Sequence, residues 1–229
     1  MYKFEEIKSF MKQTLILFPF FLITIIVGHS QQNKPSDFIP EGYTEFSKQF
    51  EDLNKDGQDD CIIMIKKVDP SNIVINDFDE EVDRNRRGII VLFKNGNNYE
   101  LILKNYSCFA SENEDGGVYF APELSLEFER SNLIIHYAHG RYGYWRYIFR
   151  YQNANFELIG YDEGNGGVIA SSEVSINFLT KKKLTRENTY EDSQGGEEIF
   201  QEVWENIEIE HLIKLSEIKD IDELDMYKF

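Results

Sequence analysis

Basic residues are scarce in this chain of 229 residues: 24 Lys and Arg stand against 41 Asp and Glu, a formal net charge of -17 at pH 7. Such an imbalance argues against DNA, RNA or an anionic bilayer as a partner held by the protein's overall field. Cysteine is rarer still, and Cys61 with Cys108 permits at most one disulfide. The signatures of common catalysts are also missing. No G-x-S-x-G, H-E-x-x-H, P-loop or C-x-x-C occurs, so no local pattern names a nucleophile, a zinc site or a phosphate cradle. Aromatic residues, by contrast, are plentiful at 14%, with 18 Phe and 13 Tyr. That content excludes a solvated, disordered chain and suits one globular domain.

Long hydrophobic runs are limited to residues 14–28, TLILFPFFLITIIVG, preceded by Lys3, Lys8 and Lys12. The run is short of the roughly 20 residues a membrane helix needs and predicts the apolar region of a secretory signal peptide. Gly28 and Ser30 place small residues three before and one before a cut between Ser30 and Gln31, and Pro19 and the polar QQNKPS that follows agree with it. Met11 followed by Lys12 is a more usual signal start than Met1, and no cysteine near the cut supports a lipid anchor. The expectation is therefore a secreted or periplasmic protein with no membrane span after signal cleavage. Removal of residues 1–30 takes away three Lys and two Glu, moving the net charge from -17 to -18. In an oxidising compartment a Cys61–Cys108 disulfide is chemically possible, and two separate buried thiols are an equal alternative.

After the signal, residues 31–42 read as a leader, 43–219 as a single β domain and 220–229 as a C-terminal tail. Strand composition marks residues 61–67, 88–94, 99–104, 124–129, 133–138, 144–152, 156–162, 174–179 and 207–215. Turn chemistry separates them, as in Lys94-Asn95-Gly96-Asn97-Asn98 and Gly164-Asn165-Gly166-Gly167. Alternation is clearest in Leu124, Leu126 and Phe128, which share one face while polar neighbours take the other. Residues 197–206, EEIFQEVWEN, read as a strand or a single helical turn. The fold class expected is all-β, an antiparallel meander with sandwich-like or propeller-blade-like sheets.

One loop carries chemistry. Residues 52–60, DLNKDGQDD, fit D-x-N-x-D-G-x-x-D. Side chains at the first, third and fifth positions of such a loop converge, the glycine permits the sharp turn, and the seventh position offers a carbonyl. Asp52, Asn54, Asp56, Gln58 through its carbonyl and Asp60 are thus candidate ligands of a hard cation. An all-oxygen set at this spacing selects calcium over zinc, in a structural role. Ile63 stands where an EF-hand carries its bidentate Glu, and the residues that follow the loop form a strand, so an EF-hand is excluded.

Flanked by strands, the loop resembles the calcium loops of FG-GAP repeats in integrin-type propellers and, more distantly, those of dockerins. A wider likeness joins it to RRGIIVLF at 86–93, YIFRY at 147–151, FELIGYD at 156–162 and SINFLT at 175–180. Together these look like a family of uncharacterised exported bacterial proteins and lipoproteins. The resemblance implies an all-β domain at the periplasm or cell surface and brings no activity with it. This chain departs from the lipoprotein members in lacking a lipidated cysteine.

Residues 136–147, HYAHGRYGYWRY, are both aromatic and basic. Tyr142, Tyr144, Trp145 and Arg146 are candidates for a contact surface, since exposed aromatics with an Arg suit a carbohydrate or protein partner. His136 and His139 lie three apart, on opposite faces of a strand, and are read as hydrogen-bonded rather than as ligands. The leading expectation is a non-enzymatic binding or interaction module with a structural calcium and an unknown protein or glycan as partner. An immunity or inhibitor protein against an exported toxin or hydrolase is the alternative, and a glycan-acting hydrolase the second.

Overall fold

A computed structural model describes residues 34–115, 121–166, 170–189 and 199–229. Contacts divide the chain into Met1–Gln31 and Gln32–Phe229, and every described residue belongs to the second unit. The signal-peptide expectation and its cleavage site lie outside the described residues.

The second unit is built from antiparallel strands. One sheet has four strands in the order β1 (Tyr43–Glu51), β2 (Asp60–Lys67), β5 (Arg87–Asn95) and β6 (Asn98–Phe109). Between β2 and β5 the chain makes a small separate hairpin, β3 (Ile73–Ile75) with β4 (Glu81–Asp83). The larger sheet is a pure meander of seven strands in chain order: β7 (Glu123–Glu129), β8 (Asn132–Ala138), β9 (Gly143–Gln152), β10 (Asn155–Gly166), β11 (Ala170–Asn177), β12 (Lys182–Asn188) and β13 (Phe200–Asn206). Short connections at turn-forming residues allow no other pairing for most of these neighbours. No helix of the described residues is long and apolar enough to cross a membrane.

The main core joins the two sheets, so the all-β expectation resolves as a sandwich. Ile62, Met64, Ile89, Val91 and Leu103 of the small sheet cluster with Leu126, Leu133, Ile135, Phe149, Phe156 and Ile176 of the large one. Burying each such side chain contributes about 1.5–3 kcal/mol. The central strands β2 and β5 are buried on their other face too, where Cys61, Ile63, Ile65, Ile90 and Leu92 pack with Phe38, Ile39, Tyr43, Tyr99 and Tyr106. Burial on both faces explains why CIIMI and GIIVLF are continuous apolar runs rather than alternating ones.

Three expectations need correction. Residues 207–215 form no strand, only an isolated bridge of Lys214 to Glu157. Residues 220–229 are no trailing tail: Ile221 is fully buried, Met226 nearly so, and Phe229 packs edge-on against Phe178 at 5.1 Å. This whole C-terminal segment is tied to both sheets, by Asn105 Nδ2 donating to the Leu215 and Ile218 carbonyls and by Leu158 N donating to the Ile213 carbonyl. A polar, acidic stretch hid its few deeply seated apolar residues. Within the leader, Phe38 and Ile39 pack on the outer face of the small sheet.

Of the two readings left open for the cysteines, separate buried thiols hold: both are free, on opposite sides of the four-stranded sheet, Cys61 in the outer cluster and Cys108 in the main core. No bond can cross the sheet between them. Burial pushes the Cys61 thiol up from its ordinary value of 9.0 to about 11, and Cys108 moves in the same direction by burial. Between pH 9 and 11 the unfolded chain releases the Cys61 proton before the folded one does, so folding stability falls as pH rises through that window. Urea denaturation at pH 8 and at pH 10.5 should show the decline, smaller in Cys61→Ala. Neither thiol should react with a maleimide until denaturant is added.

Candidate functional site

The 52–60 loop bridges β1 and β2 and is held by its own side chains. Asp52 accepts from Asp56 N at 3.1 Å and from Gly57 N at 3.0 Å, Asn54 Oδ1 accepts from the same Asp56 N at 2.9 Å, and Asp56 Oδ1 accepts from Gln58 N at 2.8 Å. Because Asp52 and Asn54 share one N–H, their oxygens face the same interior. Gly57 takes a φ of +85°, which admits the turn. The donor set of Asp52, Asn54 and Asp56 is all oxygen and fits a hard cation such as calcium. Of the expected ligands Asp60 is otherwise engaged, whereas Gln58 was expected to offer its backbone carbonyl and uses only its side chain elsewhere. The Gln58 side chain accepts from Gly96 N at 3.2 Å, across the gap to the β5–β6 turn. Asp60 is fully buried and accepts from Leu53 N and Lys94 N, both at 3.0 Å, so it clasps the loop to the neighbouring hairpin. Among the described residues no group of three or more His, Cys, Asp and Glu converges as a metal cage.

The expected aromatic surface is divided by the pleat of β9. Tyr144 and Arg146 face outward with the polar row of the large sheet, where Arg146 Nη2 meets Asp162 at 3.0 Å and Ser175 Oγ donates to the same carboxylate at 2.8 Å. His136 stands beside them and pairs with Glu127 at 2.6 Å. Tyr142 lies apart, in the short turn before β9, with Arg141 over its ring. Trp145 faces inward, stacked on Tyr137 at 5.2 Å with an interplanar angle of 12°. Those four residues therefore do not make one surface.

Inward, the structure brings together residues that no sequence pattern singled out. A cleft of about 440 Å³ opens between the end of the large sheet, the β6–β7 connection and the C-terminal segment. Its floor is a pair of cross-strand rows, Tyr137–Trp145–Glu163 and Tyr147–Tyr161. Arg87, Glu114, Asp222 and Tyr227 also line it. Glu163 is only 7% exposed and accepts from Tyr161 Oη at 2.8 Å, Asn165 Nδ2 at 2.7 Å and Tyr227 Oη at 2.9 Å. Burial is the largest cause raising the phenol pKa of Tyr137, Tyr147 and Tyr161, so all three hydroxyls keep their protons. Asp222, at the rim, is crowded enough by protein that its carboxyl is also raised, chiefly by desolvation.

One group in this cleft is left over. The Tyr137 residue is 4% exposed, and its hydroxyl is directed at the Asp222 carboxylate, which it helps to keep ionised, without reaching full hydrogen-bonding geometry. A buried polar atom left unmade costs roughly 1–3 kcal/mol, which a ligand reaching the floor of the cleft would recover.

Comparison with protein-family models, curated proteins and solved structures finds no match. The site must be read from its own chemistry.

Trp145 is the residue that sequence reasoning and the cleft share. Arg87, Glu163, Asp222 and Tyr227 were missed because they are distant in the chain and individually ordinary. The available signal was an acidic residue at a core-facing position, Glu163. A β-bulge at Ile159 concealed it, because Leu158 pairs with Phe149 while Gly160, not Ile159, pairs with Ile148.

Proposed function

We propose that this chain is an exported, non-enzymatic binding module whose ligand sits in the cleft over Trp145, Tyr147 and Tyr161, with a structural calcium in the 52–60 loop. The observation that carries the cleft is the buried Tyr137 hydroxyl, which reaches no full hydrogen-bonding geometry beside Asp222, set among aromatic rings with the Arg87 and Glu163 side chains. A concave, mostly apolar pocket with a few convergent polar groups is the usual form of a small-ligand site. Export is supported by the N-terminal apolar run and its small-residue cut, and membership of the exported β-domain family by the likeness of its motifs.

Trp145 is one of two tryptophans in the chain. The other, Trp204, is 62% exposed on the edge strand β13. A Trp204→Phe background thus isolates an emission that reports on the cleft. Saturable change with some class of small polar probe is the expected result, and silence towards neutral, anionic and cationic probes alike overturns the reading.

Calcium is supported by the loop's spacing and by the shared orientation of Asp52, Asn54 and Asp56. In that set Asp52 and Asp56 carry like charges that a cation would relieve. Extracellular calcium sites bind at about 10⁻⁴ to 10⁻³ M. Calcium at about 1 mM should then stabilise the fold by about 0.4–1.4 kcal/mol. A thermal melt with calcium and with chelator should differ by a few degrees, and the difference should vanish in Asp56→Ala. An identical melt in both conditions refutes the calcium.

A further inference from the structure

We infer that the cleft binds an organic cation, an alkylammonium or guanidinium group, against Glu163 and the faces of the surrounding aromatic rings. This rests on the binding reading above and names the ligand class of that site. Three carboxylates line the cleft, those of Glu114, Glu163 and Asp222, against the single cation Arg87. Arg87 already faces Glu112, its Nε 3.8 Å from that carboxylate, and donates to the Ala110 carbonyl at 2.9 Å. Glu112 is not among the cleft residues, so the lining itself keeps an excess of negative charge.

Glu163 concentrates that excess. It is buried on the core-facing side of β10, and its three donors, two phenols and an amide, are all neutral. A buried carboxylate is ordinarily matched by a cation, because desolvating an uncompensated charge is costly. Neutral donors satisfy its lone pairs and aim it, but they leave its charge for a ligand to meet. Around it stand Trp145, Tyr147, Tyr161 and Tyr227. Ring faces attract cations, more strongly when desolvated. The Tyr137 hydroxyl, buried at the cleft floor beside Asp222 and short of full hydrogen-bonding geometry there, supplies a further polar contact. At long range, a net charge of -17 draws cations towards the protein. An anion would meet the carboxylates at close quarters, and a neutral polyol would leave Glu163 uncompensated.

The same cationic group can arrive as a free amine or as a basic side chain of a partner, and the test separates the two. Trp145 emission, in full-length protein carrying Trp204→Phe, is titrated with n-butylammonium and with a blocked Gly-Arg-Gly peptide. The neutral counterparts are butanol and the same peptide with citrulline, and butyrate serves as the anion. Saturation by the cations, at least about tenfold tighter than by their neutral isosteres, is expected. Glu163→Gln should weaken cation binding about tenfold or more. Asp222→Asn, at the rim, should weaken it as well without touching the core, and Glu129→Gln on the distant β7–β8 turn should leave it unchanged. Tighter binding of the peptide than of butylammonium assigns a partner's side chain, and the reverse assigns a free amine. Equal binding of arginine and citrulline peptides, or of butyrate, overturns the cation and leaves a ligand cleft. No response to any probe overturns both.

Discussion

Gly88→Ala should be among the most damaging single-methyl changes at the described glycines, lowering stability by about 3 kcal/mol or more. Gly88 lies in β5, where β6 folds closely over it: Arg87 pairs with Phe109 and Ile89 with Asn105, so the partner strand bulges between them. A Cβ on Gly88 would come within 2.4 Å of the Asn105 carbonyl oxygen and the Tyr106 carbonyl carbon. Both are backbone atoms of a paired strand, which no side-chain rotation can move. Relief therefore requires β6 to shift, and β6 carries Phe109 and Cys108 in the core. For a domain of this size each kcal/mol is worth roughly 2–4 °C in melting temperature. A fall of about 6–12 °C is expected in calorimetry, and a change under 2 °C would show that the strand yields cheaply.

Asp60→Ala should cost about 2–4 kcal/mol whether or not calcium is present. Its two oxygens accept the Leu53 and Lys94 N–H groups, and each buried donor left unpaired costs roughly 1–3 kcal/mol. Removal of a desolvated carboxylate offsets part of this, which is why the total stays below the simple sum. Asp60→Asn, which keeps one acceptor, should fall between the variant and the parent in urea denaturation. Enclosure raises the Asp60 carboxyl above its ordinary value. The folded state therefore takes up that proton before the unfolded chain does, and this group's contribution favours folding increasingly as pH falls towards 4. Asp56→Ala removes an exposed carboxylate instead and should be nearly silent in chelator. Equal losses for Asp56 and Asp60 without calcium would refute the division of labour between the loop's rim and its base.

The candidate site divides in the same way between what residue order reveals and what it hides. The loop's turn was legible because most of its hydrogen bonds are local: Asp52, Asn54 and Asp56 accept N–H groups from within the same nine residues, whereas Asp60 and Gln58 reach out to Lys94 and Gly96. Separation of Tyr144 and Arg146 from Trp145 follows from the period of two, which sends alternate side chains to opposite faces of β9. Glu163 was not legible. Counting alternately from Phe156 through Leu158 points Gly160 and Asp162 inward, and the extra residue Ile159 moves that role to Tyr161 and Glu163. Nothing in FELIGYDEG announces the bulge, because its position is set by pairing with β9.

Strand chemistry and short turns were enough to make this an antiparallel β protein, since hydrophobic alternation and backbone propensity act between residues close in the chain. Two features depended on contacts across the whole of it. Cys61 and Cys108 became strangers because successive strands place them on opposite faces of one sheet. The C-terminal segment became part of the core, and a wall of the cleft, because Ile221 and Met226 find apolar partners more than a hundred residues upstream, among them Cys108 and Phe109 of the main core. Burial is a property of assembled neighbours, and no local pattern of charge or hydropathy encodes who those neighbours are.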